Sequence, residues 1–328
     1  MFAMRRRDFV TLLGSAAATW SLAVRAATDV PVIGLLSVGS FEADAKRMKG
    51  VRRGLAEIGY LEGQNLAIEY RGAQYQYDQF PTLAGDLINR RVGVIVTVGT
   101  PAALAAKAAT HTIPIVFGMG ADPVRLGVVT SLNRPGGNIT GYYILNTAVA
   151  GKRLELLHQL VPAPGVIALL ANPNSAFTGA ETKELREAAR ALGVELRVLN
   201  AANDSEIDTA FATLAKEHSV PLVVGADALF TDRPARLIAL AARYAIPAIY
   251  PYRKFVVAGG LISYGSDIAE GYRQVGTYAG RILKGAKPAD LPVQQVVGVE
   301  LVINLSAAKT LGLTIPLPLL GRADEVIE

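Results

Sequence analysis

The sequence contains no cysteine and only three histidines, His111, His158 and His218, in 328 residues. Without cysteine there is no disulfide, no thiolate-held zinc or iron–sulfur centre and no thiol nucleophile. The histidines are too far apart to form a ligand-spaced pair, so neither a metal site nor a cofactor is expected. Charged residues make up 19% of the chain, and they form no basic stripe of the kind a polyanion reader needs for counterion release. The net charge of +5 is concentrated at the start: Arg5, Arg6, Arg7 and Arg25 stand against Asp8 alone in residues 1–27, leaving 29 basic and 27 acidic residues for the rest. Nucleic acid is therefore not an expected partner. What the chain has in quantity is apolar surface, 51% of residues, enough for two domains with large cores.

The first 27 residues read as an address. Three arginines precede an apolar run over residues 9–24, and Val24-Arg25-Ala26 supplies a small-residue cleavage pattern. This is the layout of an export signal, and the run is shorter than the roughly 20 residues that span a bilayer. Arg6-Arg7-Asp8-Phe9-Val10 resembles the twin-arginine export motif. Cleavage after Ala26 and a soluble periplasmic product are expected; a membrane anchor and export as an unfolded chain are the competing readings.

Beyond the signal, aliphatic and β-branched runs alternate with Ala/Leu-rich amphipathic stretches. Strands are predicted near 30–37, 66–70, 94–98 and 115–118, with helices over 42–58, 81–90 and 101–109. The series restarts near residue 145, with helices at 151–160, 181–192, 206–215 and 234–244 and strands at 166–170, 195–199, 222–225 and 248–250. A third segment, residues 260–265 with a helix to 284, precedes a last strand at 299–303 and a helix at 306–311. Continuous apolar strands separated by helices predict parallel sheets covered on both faces. The fold class expected is α/β with two Rossmann-like lobes.

The predicted strands end in small or polar residues: Ser37-Val-Gly-Ser40, Thr97-Val-Gly-Thr100, Gly118-Met-Gly-Ala-Asp122, Ala171-Asn-Pro-Asn174, Gly225-Ala-Asp227 and Ser263-Tyr-Gly265. Ligands of open parallel sheets bind beyond the carboxyl ends of the strands. Taken singly, each set is better explained as turn chemistry; together they predict a cleft. No catalytic constellation accompanies it. Gly34-Leu-Leu-Ser-Val-Gly39 has neither Walker A nor dinucleotide spacing, and no G-x-S-x-G elbow occurs. Asp122 and Asp227 both follow strands and as an acid pair could do proton chemistry, but no nucleophile, metal or phosphate loop stands beside them. A binding protein is expected, not an enzyme.

Several stretches carry a family resemblance. Glu57-Ile-Gly-Tyr-Leu-Glu-Gly-Gln-Asn65, Ala67-Ile-Glu-Tyr-Arg71, Gly99-Thr-Pro-Ala-Ala-Leu-Ala-Ala106, Ile113-Pro-Ile-Val-Phe117 and Asp122-Pro-Val124 resemble the substrate-binding proteins of ABC importers that include tryptophan-type uptake proteins. So do Arg134-Pro-Gly-Gly-Asn-Ile-Thr-Gly141, Gly259-Gly260-Leu-Ile-Ser-Tyr-Gly265 and Glu300-Leu-Val-Ile-Asn304. The resemblance runs through the whole chain after the signal. It implies a type I periplasmic binding fold that closes by hinge motion over a solute and docks on an inner-membrane permease. It further implies lobe one at 28–145 plus 254–290 and lobe two at 146–253 plus 291–328. Crossings would fall near 143–147, 251–254 and 291–295. A monomer is expected.

An aromatic amino acid or related aromatic solute needs flat apolar walls and a few fixed polar groups. Phe41, Tyr142, Tyr252 and Tyr264 stand beside strand ends or crossings, with Tyr143, Phe177, Phe230 and Tyr250 as further aromatics; Phe230 and Tyr250 also suit a core. Ser40 and the amides of Gly99, Thr100 and Ala102 at a helix start are candidates for a carboxylate. Gly118, at a strand end, allows close approach to a ligand, and Asp122 is grouped with it. Asn172 and Asn174 are candidates to fix orientation from the opposite lobe. Asp227 either receives a ligand ammonium or caps the helix that follows it. A small organic acid without an ammonium is the alternative ligand, and a sensor partner the alternative role.

Overall fold

The computed structural model describes residues 30–144, 148–175, 178–217, 220–266, 268–296 and 298–328. The expected export signal and Phe177 and His218 lie outside them. The chain opens with β1 (Val32–Ser37), α1 (Ala45–Glu57), β2 (Ala67–Gly72), α2 (Phe80–Asn89), β3 (Val94–Val98), α3 (Thr100–Ala109), β4 (Ile115–Met119) and β5 (Ile139–Ile144). The second series comprises α4 (Ala150–Leu160), β6 (Val166–Ala171), α5 (Thr178–Leu192), β7 (Glu195–Asn200), α6 (Asp204–Ala215), β8 (Leu222–Val224), α7 (Ala228–Thr231), α8 (Pro234–Arg243) and β9 (Ala248–Tyr250). The remainder is α9 (Arg253–Val257), β10 (Ile262–Gly265), α10 (Ile268–Leu283), β11 (Gln294–Val296), β12 (Glu300–Asn304), α11 (Leu305–Thr310), α12 (Leu317–Leu320) and β13 (Glu325–Ile327).

These strands form two sheets, a six-stranded one ordered β11-β5-β4-β3-β1-β2 and a seven-stranded one ordered β13-β12-β10-β9-β8-β6-β7. The first is parallel throughout, and in the second only β10 and β12 pair antiparallel. Each sheet carries a buried apolar cluster on each face, which is why its central strands read as unbroken aliphatic runs. The α/β reading with two lobes holds.

The expected lobe boundaries differ from the sheet membership. Residues 254–290 were expected to return to lobe one as a block, yet Ile262 and Ser263 of β10 register with Ile249 and Tyr250 of β9 in the second sheet. Conversely, β11 leaves the expected lobe-two segment and pairs with β5 at the edge of the first sheet, Gln294 opposite Tyr142. The chain thus crosses between Gly265 and Ile268 and again between Val296 and Glu300, rather than at 251–254 and 291–295. Strand partners are chosen by hydrogen bonds between residues distant in sequence, which local composition does not report. The expected crossing at 143–147 falls partly on residues outside the described set.

Helix α10 belongs to lobe one because two glycines let it lie against α1 backbone to backbone. A Cβ on Gly54 would stand 1.9 Å from the Arg273 carbonyl oxygen, and one on Gly276 would stand 2.1 Å from that of Val51. This contact carries the α10 side chains towards the carboxyl ends of the first sheet, where Tyr272 becomes important. At the turn from β3 into α3, Gly99 takes φ +96°, a conformation that a side chain would strain.

Candidate functional site

The carboxyl ends of β3, β4 and β5 face the turn after β8, and between the lobes lies a cavity of about 60 Å³. Its lobe-one wall includes Arg47 of α1, Tyr77, the Gly99–Thr100 turn, Gly118, Tyr142 and, from α10, Tyr272. Its lobe-two wall is Ala226, Asp227, Ala228 and Thr231, with Tyr252 entering beside the chain crossing.

Asp227 is the chemically distinctive group. It is 3% exposed, and its Oδ1 accepts from Asn172 Nδ2 at 2.8 Å and from the Leu229 amide at 2.9 Å. The Tyr77 hydroxyl reaches both carboxylate oxygens from the opposite lobe at 3.4 Å. Burial raises the carboxyl above the ordinary aspartate range, against the pull of Asn172 and Leu229. No cationic side chain among the described residues pairs with it. Asp227 therefore both caps α7 and presents a carboxylate to the cavity.

A second acid, Asp232 at the end of α7, ties the lobes together. Its oxygens accept from Arg47 at 2.7 and 3.2 Å and from the Tyr75 hydroxyl at 3.0 Å, and Lys254 Nζ lies 3.7 Å away. Arg47 is also held within its own lobe by Asp44 at 2.8 Å, and Asp44 accepts from Tyr70 at 2.7 Å. The Arg233 guanidinium of lobe two sits 4.4 Å from the centre of the Tyr75 ring, a cation–π contact. Burial lowers the Lys254 ammonium to about 8, with Asp232 opposing the shift. Tyr75 follows Gln74 in an unusual pair of left-handed residues, φ 66° and 49°. Such non-glycine strain costs of order 1–3 kcal/mol each; here it aims a tyrosine at the other lobe.

The candidate ligand residues divide. Gly99, Thr100, Gly118, Tyr142, Asp227 and Tyr252 line the cavity. Asn172 stands one layer behind, holding Asp227. The others lie elsewhere for identifiable reasons. Ser40 Oγ accepts from the Ala43 amide in the turn before α1. Phe41 is 51% exposed and packs edge-on against Tyr70. Ala102 is buried in the lobe-one core, because α3 turns that face onto the sheet. The Asp122 carboxylate accepts from the Val124 and Arg125 amides in a turn. Asn174 is exposed beyond Asn172, and Tyr264 packs on the lobe-two core.

Arg47, Tyr77, Thr231 and Tyr272 were not among the expected residues. Strand ends are visible as glycine-rich breaks, whereas Arg47 and Tyr272 sit inside helices. The available signal for Tyr272 is Gly271, where a Cβ would fall 2.0 Å from the Tyr142 ring. Tyr142 and Tyr272 meet edge to face, ring centres 5.5 Å apart. The Tyr272 hydroxyl has no hydrogen-bond partner among the described residues, and burial raises it.

Among the described residues no group of acids and histidines could hold a metal ion, and no helix is long and apolar enough to cross a membrane. Comparison with known proteins agrees with this two-lobed binding architecture. A "Tyrosine-binding protein" of Clostridioides difficile strain R20291 is 29% identical over 266 residues, 81% of this chain and 76% of that protein. A crystal structure of a conserved domain protein from Vibrio cholerae superposes with a TM-score of 0.82 at 29% identity, covering 91% of this chain and 100% of that one. A structure of an ABC domain in complex with L-Trp from Streptococcus pneumonia gives a TM-score of 0.80 at 26% identity, covering 90% and 99%. The family described as ABC transporter substrate binding protein matches residues 30–327. With nearly every described residue inside that match, the chain belongs to the ABC transporter substrate binding protein family.

Proposed function

We propose that this chain is the periplasmic solute-capturing component of an ABC importer. It takes an aromatic amino acid, or a closely related aromatic solute, between its lobes and delivers it to an inner-membrane permease without chemical change. The observation that carries the reading is Asp227, a buried carboxylate in the cavity wall with no cationic side chain paired to it among the described residues. A buried anion is unfavourable without a counter-charge, and a ligand ammonium supplies one. Tyr77, Tyr142, Tyr252 and Tyr272 provide ring faces and edges for an aromatic body. The relatives named for tyrosine and bound to L-Trp support the same class. Export through the segment ending at Ala26 and action as a monomer belong to this reading.

A cavity of about 60 Å³ is smaller than the roughly 150 Å³ that accommodates a benzene ring. An aromatic ligand thus enters with the lobes farther apart, and they close around it at a slightly wider spacing, with the Arg47 and Lys254 charges still drawn to Asp232. Asp232 then contributes to affinity by favouring closure, since apparent affinity scales with the binding-competent fraction. Asp232→Ala removes the acceptor for Arg47, Tyr75 and Lys254 at once. It is expected to weaken ligand binding about tenfold and to increase the radius of gyration in X-ray scattering. If both stay at wild-type values, Asp232 plays no part in closure.

The ligand class is tested by a thermal-shift panel of amino acids, aromatic acids, nucleobases and small sugars. A ligand specific for the folded state stabilises by about 2.7 kcal/mol at a hundredfold excess over its dissociation constant. Shifts with tyrosine, tryptophan or phenylalanine are expected. The chain's one tryptophan falls at Trp20, so after cleavage all indole fluorescence comes from added tryptophan, and a shift of its emission reports binding. Shifts confined to acids lacking an ammonium would replace the amino-acid reading with the organic-acid one.

A further inference from the structure

Lobe two contains a second cavity, of about 280 Å³, at the end of its sheet away from the interlobe site. Ala248 opens β9 and Leu261 immediately precedes β10, so this cavity lies at the amino ends of the parallel strands, whereas Asp227 follows the carboxyl end of β8. Ile238, Ala241 and Ala242 of α8 form one wall, and Ala307 and Leu311 of α11 form another. No charged side chain lines it.

The polar side chains of the wall are Tyr250, Asn304, Ser306 and Thr310; Ser306 and Thr310 lie on its exposed rim, which leaves the Tyr250 hydroxyl as the polar group among the apolar side chains. Tyr250 is 1% exposed, and its ring stacks on Phe255 with centres 4.6 Å apart. Its edge lies against Gly260, where a Cβ would come within 2.8 Å of Cε2, and Gly260 is itself part of the cavity wall. The hydroxyl beyond that edge has no hydrogen-bond partner among the described residues. Burial raises it, so it remains a protonated donor. A hydroxyl that reaches open space and no protein acceptor is free to donate to a ligand oxygen. Nearby, Asn304 spends its Oδ1 on the Ala307 amide at 2.8 Å and reaches Val256 only at 3.4 Å.

We propose that this cavity is a second small-molecule site, taking a compact neutral molecule with an apolar body and one oxygen acceptor, of the aromatic-alcohol class, with that oxygen on the Tyr250 hydroxyl. The volume exceeds the roughly 150 Å³ that holds benzene, which leaves room for a substituted ring. A charged ligand is disfavoured, since nothing in the wall compensates it. The site is independent of the interlobe reading.

Calorimetric titration of the full chain with benzyl alcohol tests it. Wild type and Asp227→Asn are expected to show the same single saturable site. Tyr250→Phe, which keeps the stacked ring and removes only the hydroxyl, is expected to weaken binding about tenfold. Ala241→Trp, which fills the space, is expected to abolish it; should that variant fail to fold, Tyr250→Phe decides. Absence of saturable heat in wild type overturns the proposal. So does loss of the heat in Asp227→Asn, which would put benzyl alcohol between the lobes, and so does wild-type affinity in Tyr250→Phe.

Discussion

Asp227→Asn is expected to weaken binding of an aromatic amino acid by about a hundredfold while leaving the ligand-free melting temperature nearly unchanged. Removing one charge of a buried, hydrogen-bonded pair commonly costs 2–5 kcal/mol of affinity. The small effect on folding follows from the geometry. Asn keeps an oxygen to accept from Asn172 and Leu229, and Asn caps a helix about as well as Asp. The pH dependence supplies a second readout. Burial raises Asp227, so on acidification it takes up a proton above the usual aspartate range and ceases to match an ammonium. Wild-type affinity should fall as pH drops through that raised value, and this component should be missing in the Asn variant. The ligand-free fold responds with the opposite sign: a raised carboxyl stabilises the fold when protonated, and that contribution is lost as pH rises. Titration calorimetry across pH checks both variants. Equal affinity in Asp227→Asn would reduce Asp227 to a helix cap.

Glu181→Ala is expected to destabilise the chain by about 3–5 kcal/mol, because it takes a carboxylate partner away from a buried cation. Arg153 on α4 is fully buried and donates to Glu181 Oε1 at 3.2 Å. The same oxygen accepts from the Ala226 amide at 3.3 Å, so the pair braces the turn that carries Asp227. Burial raises Glu181 against the pull of the Arg153 guanidinium. Glu181→Gln keeps an acceptor for both donors and is expected to lose less. Arg153→Met with Glu181→Leu should recover most of the stability, since an apolar replacement of a buried ion pair is often neutral. Urea denaturation followed by circular dichroism orders the three variants. A single alanine variant as stable as wild type would mean that the pair bears little on the fold.

Both sites draw on residues whose importance is unequally visible in sequence. Asp227 is conspicuous, a lone acid directly after an apolar strand and two small residues. The Gly99–Thr100 turn and Gly118 are visible for the same reason: an interrupted aliphatic run marks the end of a parallel strand. Phe41 and Tyr264 carried the same local mark but joined Tyr70 and the lobe-two core instead. Position after a strand says which end of the sheet a residue occupies, not which way its side chain turns. Arg47, Tyr77 and Asp232 had no such mark, because each matters through a partner from the other lobe.

Local pattern alone determined the α/β class, the two series of strands and helices, and the end of each sheet where ligands gather. Those follow from the alternation of apolar runs with amphipathic stretches, within the span of a few residues. Tertiary structure decided that β10 stays with the second sheet, that β11 crosses to the first, and that Asp232 meets Arg47 across the cleft. Strand pairing and lobe contact are made between groups remote along the chain. Their choice depends on which hydrogen bonds and charges can be satisfied together, a condition set only once both lobes are packed.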